Sequence, residues 1–494
     1  MKQNNLKYKN RRKENNNQKN HERNINNIIM NNFPAEKNNL IGLKGKRGKR
    51  KSNFHRKYKF QKENKFPYIY KIFLNFLIIA LYLIVFPNYQ RNYLIKQPIK
   101  VGFYSKSLQN GGVERVMALL INLLSKEKYF TLYSITTLGK SENDYTIPNS
   151  TIRICLSQEK ENVYDIINKE QIDILIYNFY EKKDIEKLNS LTKIKTIFYN
   201  HLSFLIWIYQ HVYNFEETLY PSYKKCKYVI SIIPVEHNYI FKKWGINSIL
   251  MDNPSTFDYD LVKPSDLTSK CIVMIGRIDD PIKRYELGIY AMPNILTEIP
   301  DAEMKIIAYK NKHFKNMIKN LKLENNVKIT GYQKNIENYL QNASLHIFPS
   351  KCESYPMVLG ETKIFGIPSI ICGLDFLALS KGGTVIIYDD NPDTIAKEAI
   401  KILKDDKYRK QLGKEARESM RTKKNKLIAK KWIKLLLSVY RGDDKSFKEL
   451  LSDNNNKMTE EEANQILNNQ LSLLKKRKPR FSGVTLEKFK SYSF

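Results

Sequence analysis

The chain has 494 residues, enough for two to four domains, and a formal net charge of +34 from 84 Lys/Arg against 50 Asp/Glu. The charge is uneven: residues 1–65 hold 20 Lys/Arg against 4 Glu, with few aromatics and no recognised nucleic-acid-binding module, so no nucleic-acid partner is expected. Five cysteines (Cys155, Cys226, Cys271, Cys352 and Cys372) are odd in number and irregularly spaced, which excludes a disulfide framework.

Residues 1–65 are rich in Asn and lack hydrophobic periodicity, so they cannot bury enough apolar surface to offset the entropy of ordering; a disordered basic tail is expected. The next segment, 66–87, contains an apolar run with Asn75 as the one polar residue in 72–86. As a helix, residues 66–86 would extend about 30 Å, and Lys71 could reach the headgroups, so a transmembrane anchor is expected at 66–87. The run lies too far from the start for a cleavable signal peptide. Lys and Arg are denser before it than after it, which puts the tail in the cytosol and the globular part in a lumen, a single-pass type II Golgi/ER orientation. A cytosol-facing globular part is the alternative, and neither the cysteines nor the Asn149-Ser-Thr sequon decides between them.

From about residue 98 strand and helix patterns alternate, the signature of parallel sheets covered by helices. Strands are expected at 99–104, 130–137, 173–178, 195–200, 228–232, 248–251, 271–275, 303–308, 327–331, 345–348, 368–372 and 384–388. A break at residues 252–256 divides them into two sets of six. The fold class is therefore α/β, with one domain at 98–251 and another at 252–427. A helix at 428–440 is expected to cross back to the first domain. The extension 441–494, with a helix near 459–475, reads as a solvated tail.

In the first half, a strand ending at Ser105 leads to Gln109-Asn-Gly111-Gly112-Val-Glu114-Arg115 and a helix. The full G-x-G-x-x-G is absent, so no dinucleotide site follows. The strand at 195–200 ends in Asn200-His201, at the carboxyl edge of its sheet. In the second half, Cys271-Ile-Val-Met-Ile runs into Gly276-Arg277, with Lys283 six residues after the arginine; Arg284 is expected to face solvent. Fixed cations there would stabilise charge developing on a departing phosphate, and Gly276 removes a side chain where backbone must approach ligand. The strand 345–348 leads to a loop carrying Glu353, then a helix with Glu361 two turns in and Gly366-Ile-Pro368 after it. The amides of Met357, Val358 and Leu359 open that helix and suit phosphate oxygens. A carboxylate for sugar hydroxyls, a second for a ribose diol and a helix start for a diphosphate together describe a nucleotide-sugar site.

These segments resemble the family 4 (group 1) retaining glycosyltransferases, whose donor domain carries two Glu separated by seven residues inside a Pro-Ser-x-x-Glu…Glu-x-x-x-x-Gly-x-Pro pattern. The resemblance covers roughly 98–440 and implies the GT-B fold, two Rossmann-like domains facing across a cleft. It implies catalytic or donor-binding roles for Glu353, His201, Arg277, Lys283, Gly276, Glu361 and the 357–359 amides, with Gly111 and Gly112 facing the donor phosphate and acceptor. It places Gly331-Tyr-Gln-Lys near the nucleotide base. Gly360 and Thr362 depart from it, standing where the family often has a larger aliphatic residue and Ala. The expected activity is membrane-anchored hexosyl transfer from a UDP- or GDP-sugar to a glycan or lipid-linked acceptor, with retention at the anomeric carbon. An inactive GT-B nucleotide-sugar-binding protein is the alternative function. Asp279-Asp280 are adjacent and unsuited to chelating one ion, so neither metal nor cofactor is expected. Attack on the leaving-group face and Glu353 acting as a nucleophile remain rival mechanisms.

Overall fold

The computed structural model describes residues 97–109, 111–179, 182–191, 194–203, 215–443, 449–450 and 458–476. Its first half holds β1 (Ile99–Ser105), α1 (Gly112–Leu124), β2 (Phe130–Thr136), β3 (Ile152–Cys155), α2 (Leu156–Glu159), α3 (Val163–Glu170), β4 (Ile174–Tyr177), α4 (Lys182–Asn189), β5 (Lys195–Tyr199), α5 (Phe215–Tyr223), β6 (Tyr228–Ser231), α6 (Pro234–Asn238) and β7 (Ser248–Leu250). The seven strands form one parallel sheet in the order β3-β2-β1-β4-β5-β6-β7. Strands such as Ile-Leu-Ile-Tyr in β4 are buried at every residue because helices cover both faces of such a sheet.

The second half repeats the plan with β8 (Cys271–Ile275), α7 (Tyr285–Glu298), β9 (Glu303–Ile307), α8 (Lys312–Asn320), β10 (Val327–Ile329), α9 (Glu337–Gln341), β11 (Leu345–Phe348), α10 (Met357–Ile364), β12 (Ser369–Cys372), β13 (Thr384–Ile387), α11 (Pro392–Lys404) and α12 (Asp406–Ser419). Its six parallel strands run β10-β9-β8-β11-β12-β13. In both sheets the order reverses beside the first strand, between β1 and β4 and between β8 and β11. Chain connections there leave in opposite directions and open a crevice at the carboxyl ends.

Helix α13 (Asn425–Arg441) returns to the first sheet: Trp432 is fully buried with its ring 5.1 Å from that of Tyr199, and Lys195 Nζ donates to the Tyr440 carbonyl at 2.7 Å. Helix α14 (Glu460–Lys476) is docked, contrary to the expected solvated tail. Gln470 Nε2 donates to the Gly373 carbonyl at 2.7 Å and Asp375 Oδ1 at 2.8 Å, and Asn469 Nδ2 to Asp375 Oδ2 at 2.6 Å. Leu473 fills the space where a Cβ on Gly373, at φ +62°, would stand.

Two expectations are corrected. Strand β3 went unread because it is a short edge strand, with Ile152 exposed and Arg153 turned sideways to Ser134 Oγ at 2.8 Å and Asp144 at 3.0 Å. The membrane anchor, and the single-pass localisation built on it, are not upheld: no helix among the described residues is long and apolar enough to cross a membrane. The longest, α13 and α14, have 17 residues each, α13 with lysines along its length and α14 with charged ends and Asn and Gln between them, whereas a span needs about 20 mostly apolar ones. The segment 66–87 and the tail 1–65 lie outside the described residues.

Candidate active site

The site is built from loops leaving β8 and β11 at the second sheet's reversal. After β8 the backbone turns at Gly276, whose φ of +144° only glycine adopts readily; a Cβ there would lie 3.2 Å from Tyr285 Oη. Arg277 Nη2 donates to Asp280 Oδ2 at 3.0 Å, and Asp280 Oδ1 accepts from the Ile282 amide at 3.0 Å, so Asp280 folds the turn. That turn delivers Lys283 into the crevice, where Nζ pairs with Glu353 Oε1 at 2.5 Å and sits 5.6 Å from the centre of the Phe348 ring. Both side chains are largely buried, which strengthens their attraction relative to a surface pair. Lys283 and Glu353, read separately from the sequence, are thus one unit.

Arg284 is not solvent-facing. It sits at φ +50° as the first boundary residue of α7, where Nε donates to the Pro349 carbonyl at 2.7 Å and Nη1 pairs with Asp390 at 2.7 Å. Its partners, the Pro349 carbonyl and Asp390, are distant in sequence, which hid this role. Two buried hydroxyls, Ser350 Oγ and Tyr285 Oη, have no hydrogen-bond partner among the described residues. Burial, with the Glu353 and Asp280 charges added, pushes the Tyr285 hydroxyl well above its ordinary range, so it stays a proton donor.

Helix α10 begins at Pro356 without a side-chain cap. The Leu359 amide donates to the Pro356 carbonyl at 3.0 Å, so the helix opening offers the amides of Met357 and Val358 rather than all three. Glu361 lies on the buried side of this helix, fully inaccessible, with Oε1 2.5 Å from Arg115 Nη2 of the first half. Arg115 also donates to Thr256 Oγ1 in the segment joining the halves. Burial raises the Glu361 pKa, while the Arg115 charge and the Thr256 hydroxyl oppose that rise.

From the first half, Gly111 precedes α1 without a side-chain cap, and a Cβ there would fall 1.7 Å from Glu114 Oε2, so only glycine lets the carboxylate fold back. Gly112 has open space around it. Burial raises the Glu114 pKa, and the charges of Arg277 and Lys106 oppose it; Arg277 is therefore felt across the crevice by α1. His201 is buried, its ring 3.9 Å from that of Tyr199, and burial lowers its pKa to about 3, so the imidazole is neutral near pH 7. Two residues on, the Ser203 amide donates to Ser354 Oγ at 2.9 Å, which carries the His201 strand end to the Glu353 loop. At the carboxyl ends of β9 and β10, Tyr309 and Tyr332 stack with centroids 5.1 Å apart at 11°, both largely exposed.

The structure therefore gathers Gly276, Arg277, Lys283, Glu353, Met357 and Val358 at one crevice, with Gly111 and His201 on the segments facing it, while Glu361 is buried against Arg115 of the first half. Sequence reasoning missed Arg115, Thr256, Tyr285 and Ser350 as contributors. Arg115 stood in the Gly-Gly-Val-Glu-Arg run and Ser350 in the Pro-Ser-x-x-Glu pattern, so both could have been found there; Thr256 and Tyr285 carry no local signal.

Residues 259–419 match the family model described as Glycosyl transferases group 1. A curated relative, N-acetyl-alpha-D-glucosaminyl L-malate synthase of Bacillus anthracis, is 29% identical over 145 residues, which are 28% of this chain; the match spans 38% of that relative's length. Sucrose-phosphate synthase from Thermosynechococcus elongatus superposes with a TM-score of 0.57 at 16% identity, over 70% of this chain and all of that one. Anabaena HepE in complex with UDP and glucose superposes at 0.53 with 14% identity, over 69% of this chain and all of that one. At such identities these likenesses establish the fold, α/β and GT-B-like with parallel sheets. The family match supports the glycosyltransferase group 1 family for the second half.

Proposed function

We propose that this chain is a retaining hexosyltransferase of the family 4 type, moving a sugar from a UDP- or GDP-sugar to a glycan or lipid-linked acceptor. The observation that carries the reading is the Lys283–Glu353 pair at 2.5 Å, set at the sheet reversal beside the uncapped start of α10. A cation, a carboxylate and free amides converging there suit a sugar joined to a diphosphate. That HepE was solved with UDP and glucose supports a nucleotide-sugar donor in this fold.

In this reading the Met357 and Val358 amides, Arg277 and Lys283 hold the diphosphate, Glu353 the sugar hydroxyls and Glu361 the ribose. The Tyr309–Tyr332 stack beside Gly331 offers an aromatic face for the base. The bond from the anomeric carbon to the diphosphate breaks, and its electron pair moves to the leaving oxygen, where Lys283 and the amides stabilise it. The acceptor hydroxyl attacks from the same face, and its proton passes to that departing oxygen. Glu353, tied to Lys283, is better placed to hold hydroxyls than to attack. His201, neutral near pH 7, contributes as a hydrogen-bonding group and not as a charge. Asp280 is committed to Arg277 and the Ile282 amide, and we propose transfer without a metal. Loss of activity in EDTA with recovery in manganese would overturn that part.

The test is thermal stabilisation of the purified protein by UDP-, GDP- and ADP-sugars, followed by turnover of the donor that binds. Stabilisation by one donor, lost in Glu353→Ala and Lys283→Ala variants that remain folded, is expected. A folded protein stabilised by none of them would overturn the assignment.

A further inference from the structure

Glu361 is a carboxylate with no solvent exposure whose two oxygens are treated differently. Oε1 accepts from Arg115, while Oε2 is buried with no hydrogen-bond partner among the described residues. A buried acceptor left empty beside a satisfied one is costly, and such groups are generally paired in folded proteins. Arg115 does not belong to the same half: it projects from the first turn of α1, its amide bonding to the Gly111 carbonyl at 3.1 Å. Its guanidinium also bonds Thr256, in the segment between the two sheets, so one side chain touches α1, the junction and α10.

We infer that Arg115 is a positioning residue that acts through Glu361, orienting its carboxylate so that Oε2 takes a ribose hydroxyl of the donor nucleotide. The inference rests on Glu361 being the ribose ligand. Because Oε2 is sealed in this arrangement, the segments around it must part for a ribose to reach it. Without Arg115 the buried carboxylate would lose the charge that opposes its protonation, and with it much of its strength as an acceptor. Ribose recognition by the second half thereby depends on the first.

The experiment compares binding of UDP, GDP and ADP with that of their 2′,3′-dideoxy diphosphates, by calorimetry, in wild type, Arg115→Leu, Arg115→Lys, Glu361→Ala and the Arg115→Leu/Glu361→Ala double variant. Wild type is expected to prefer the ribose form of its nucleotide by about 10- to 100-fold, the range of a hydrogen bond to a charged acceptor. Arg115→Leu is expected to lose most of that preference, and Arg115→Lys to keep part of it. The double variant should lose no more than Glu361→Ala alone, since the arginine acts through the glutamate. A merely structural arginine would weaken both forms equally, which would overturn the inference, as would a preference unchanged or increased in Arg115→Leu. If Glu361→Ala keeps the preference, the ribose reading itself fails; if only the arginine variants keep it, that reading stands and the inference alone fails. Thr256→Val, which leaves the ion pair in place, serves as the second variant if Arg115→Leu does not fold, and should reduce the preference to a lesser degree. A preference unchanged in Thr256→Val and Arg115→Lys together would overturn the inference.

Discussion

The two halves of the molecule share one topology but build their crevice edges differently. In the second half the functional groups are fixed by short-range devices: a positive-φ glycine, an Asp280 turn and an uncapped helix start. In the first half they depend on contacts made elsewhere, since Arg115 finds its partners in the junction and in α10, and His201 is carried to the Glu353 loop through Ser203. Apart from Glu361, which Arg115 holds, the second half is a site that its own sequence assembles; the first is completed by its neighbour.

The largest expected effect bears on that contrast. Lys283→Ala should lower kcat about 100- to 1,000-fold, as removal of a fixed group stabilising developing charge does, with a smaller change in KM. Steady-state kinetics on the assigned donor would measure it. A loss below 10-fold would mean that the leaving group is stabilised by groups other than Lys283.

A second prediction puts the halves on equal terms. His201 and His346 are buried one in each half, and burial holds both pKa values at about 3, against about 6.5 in the unfolded chain. The unfolded state binds these protons first, so the stabilisation is present above pH 6.5 and is lost as pH falls from 6.5 towards 3. Each histidine contributes a slope of up to about 1.4 kcal/mol per pH unit in that window. Denaturant titrations between pH 7 and 4 would measure it, and His346→Asn should flatten the curve. No flattening would show that His346 is charged in the folded protein.

How much of this was legible follows the same division. Twelve strands could be read because continuous apolar runs mark strands buried on both faces, while β3 was hidden by its exposed Ile152 and its sideways Arg153. Gly276, Arg277, Lys283 and Glu353 could be read because they lie within about eight residues of a strand end, and Glu361 because it keeps a fixed spacing from Glu353. Arg115 joining Glu361 across 246 positions has no spacing to read. Arg284 and the docking of α14 fail for the same reason, since their partners, Asp390 and Asp375, are distant in sequence. The membrane helix was inferred from the length, apolarity and flanking residues of one segment, and no described helix meets the length and apolarity that such a span requires.

Docking of α14 gives the third prediction. Burial raises the Asp375 pKa, and Asn469, Gln470 and Tyr388 oppose this with hydrogen bonds. Removing one of them leaves a buried carboxylate less well satisfied, so Gln470→Ala should lower the unfolding free energy by about 1–3 kcal/mol. Thermal denaturation would detect it. An unchanged midpoint would mean that α14 rests on the second half without supporting it.

Arg277 is expected to show the smallest effect on stability and the clearest separation of stability from binding. Its side chain is 67% exposed, and its pair with Asp280 is a surface ion pair worth about 0–1 kcal/mol. The turn itself survives without it, because Asp280 keeps the Ile282 amide. Arg277→Ala should therefore leave the melting temperature almost unchanged while weakening nucleoside diphosphate binding about 10- to 100-fold, through loss of a charge-assisted contact. The opposite pattern, a clear loss of stability with binding intact, would make the Asp280 pair the residue's purpose. The phosphate charge would then fall to Lys283 and the α10 amides, and the second half would need Arg115, the basic residue of α1, to complete its site.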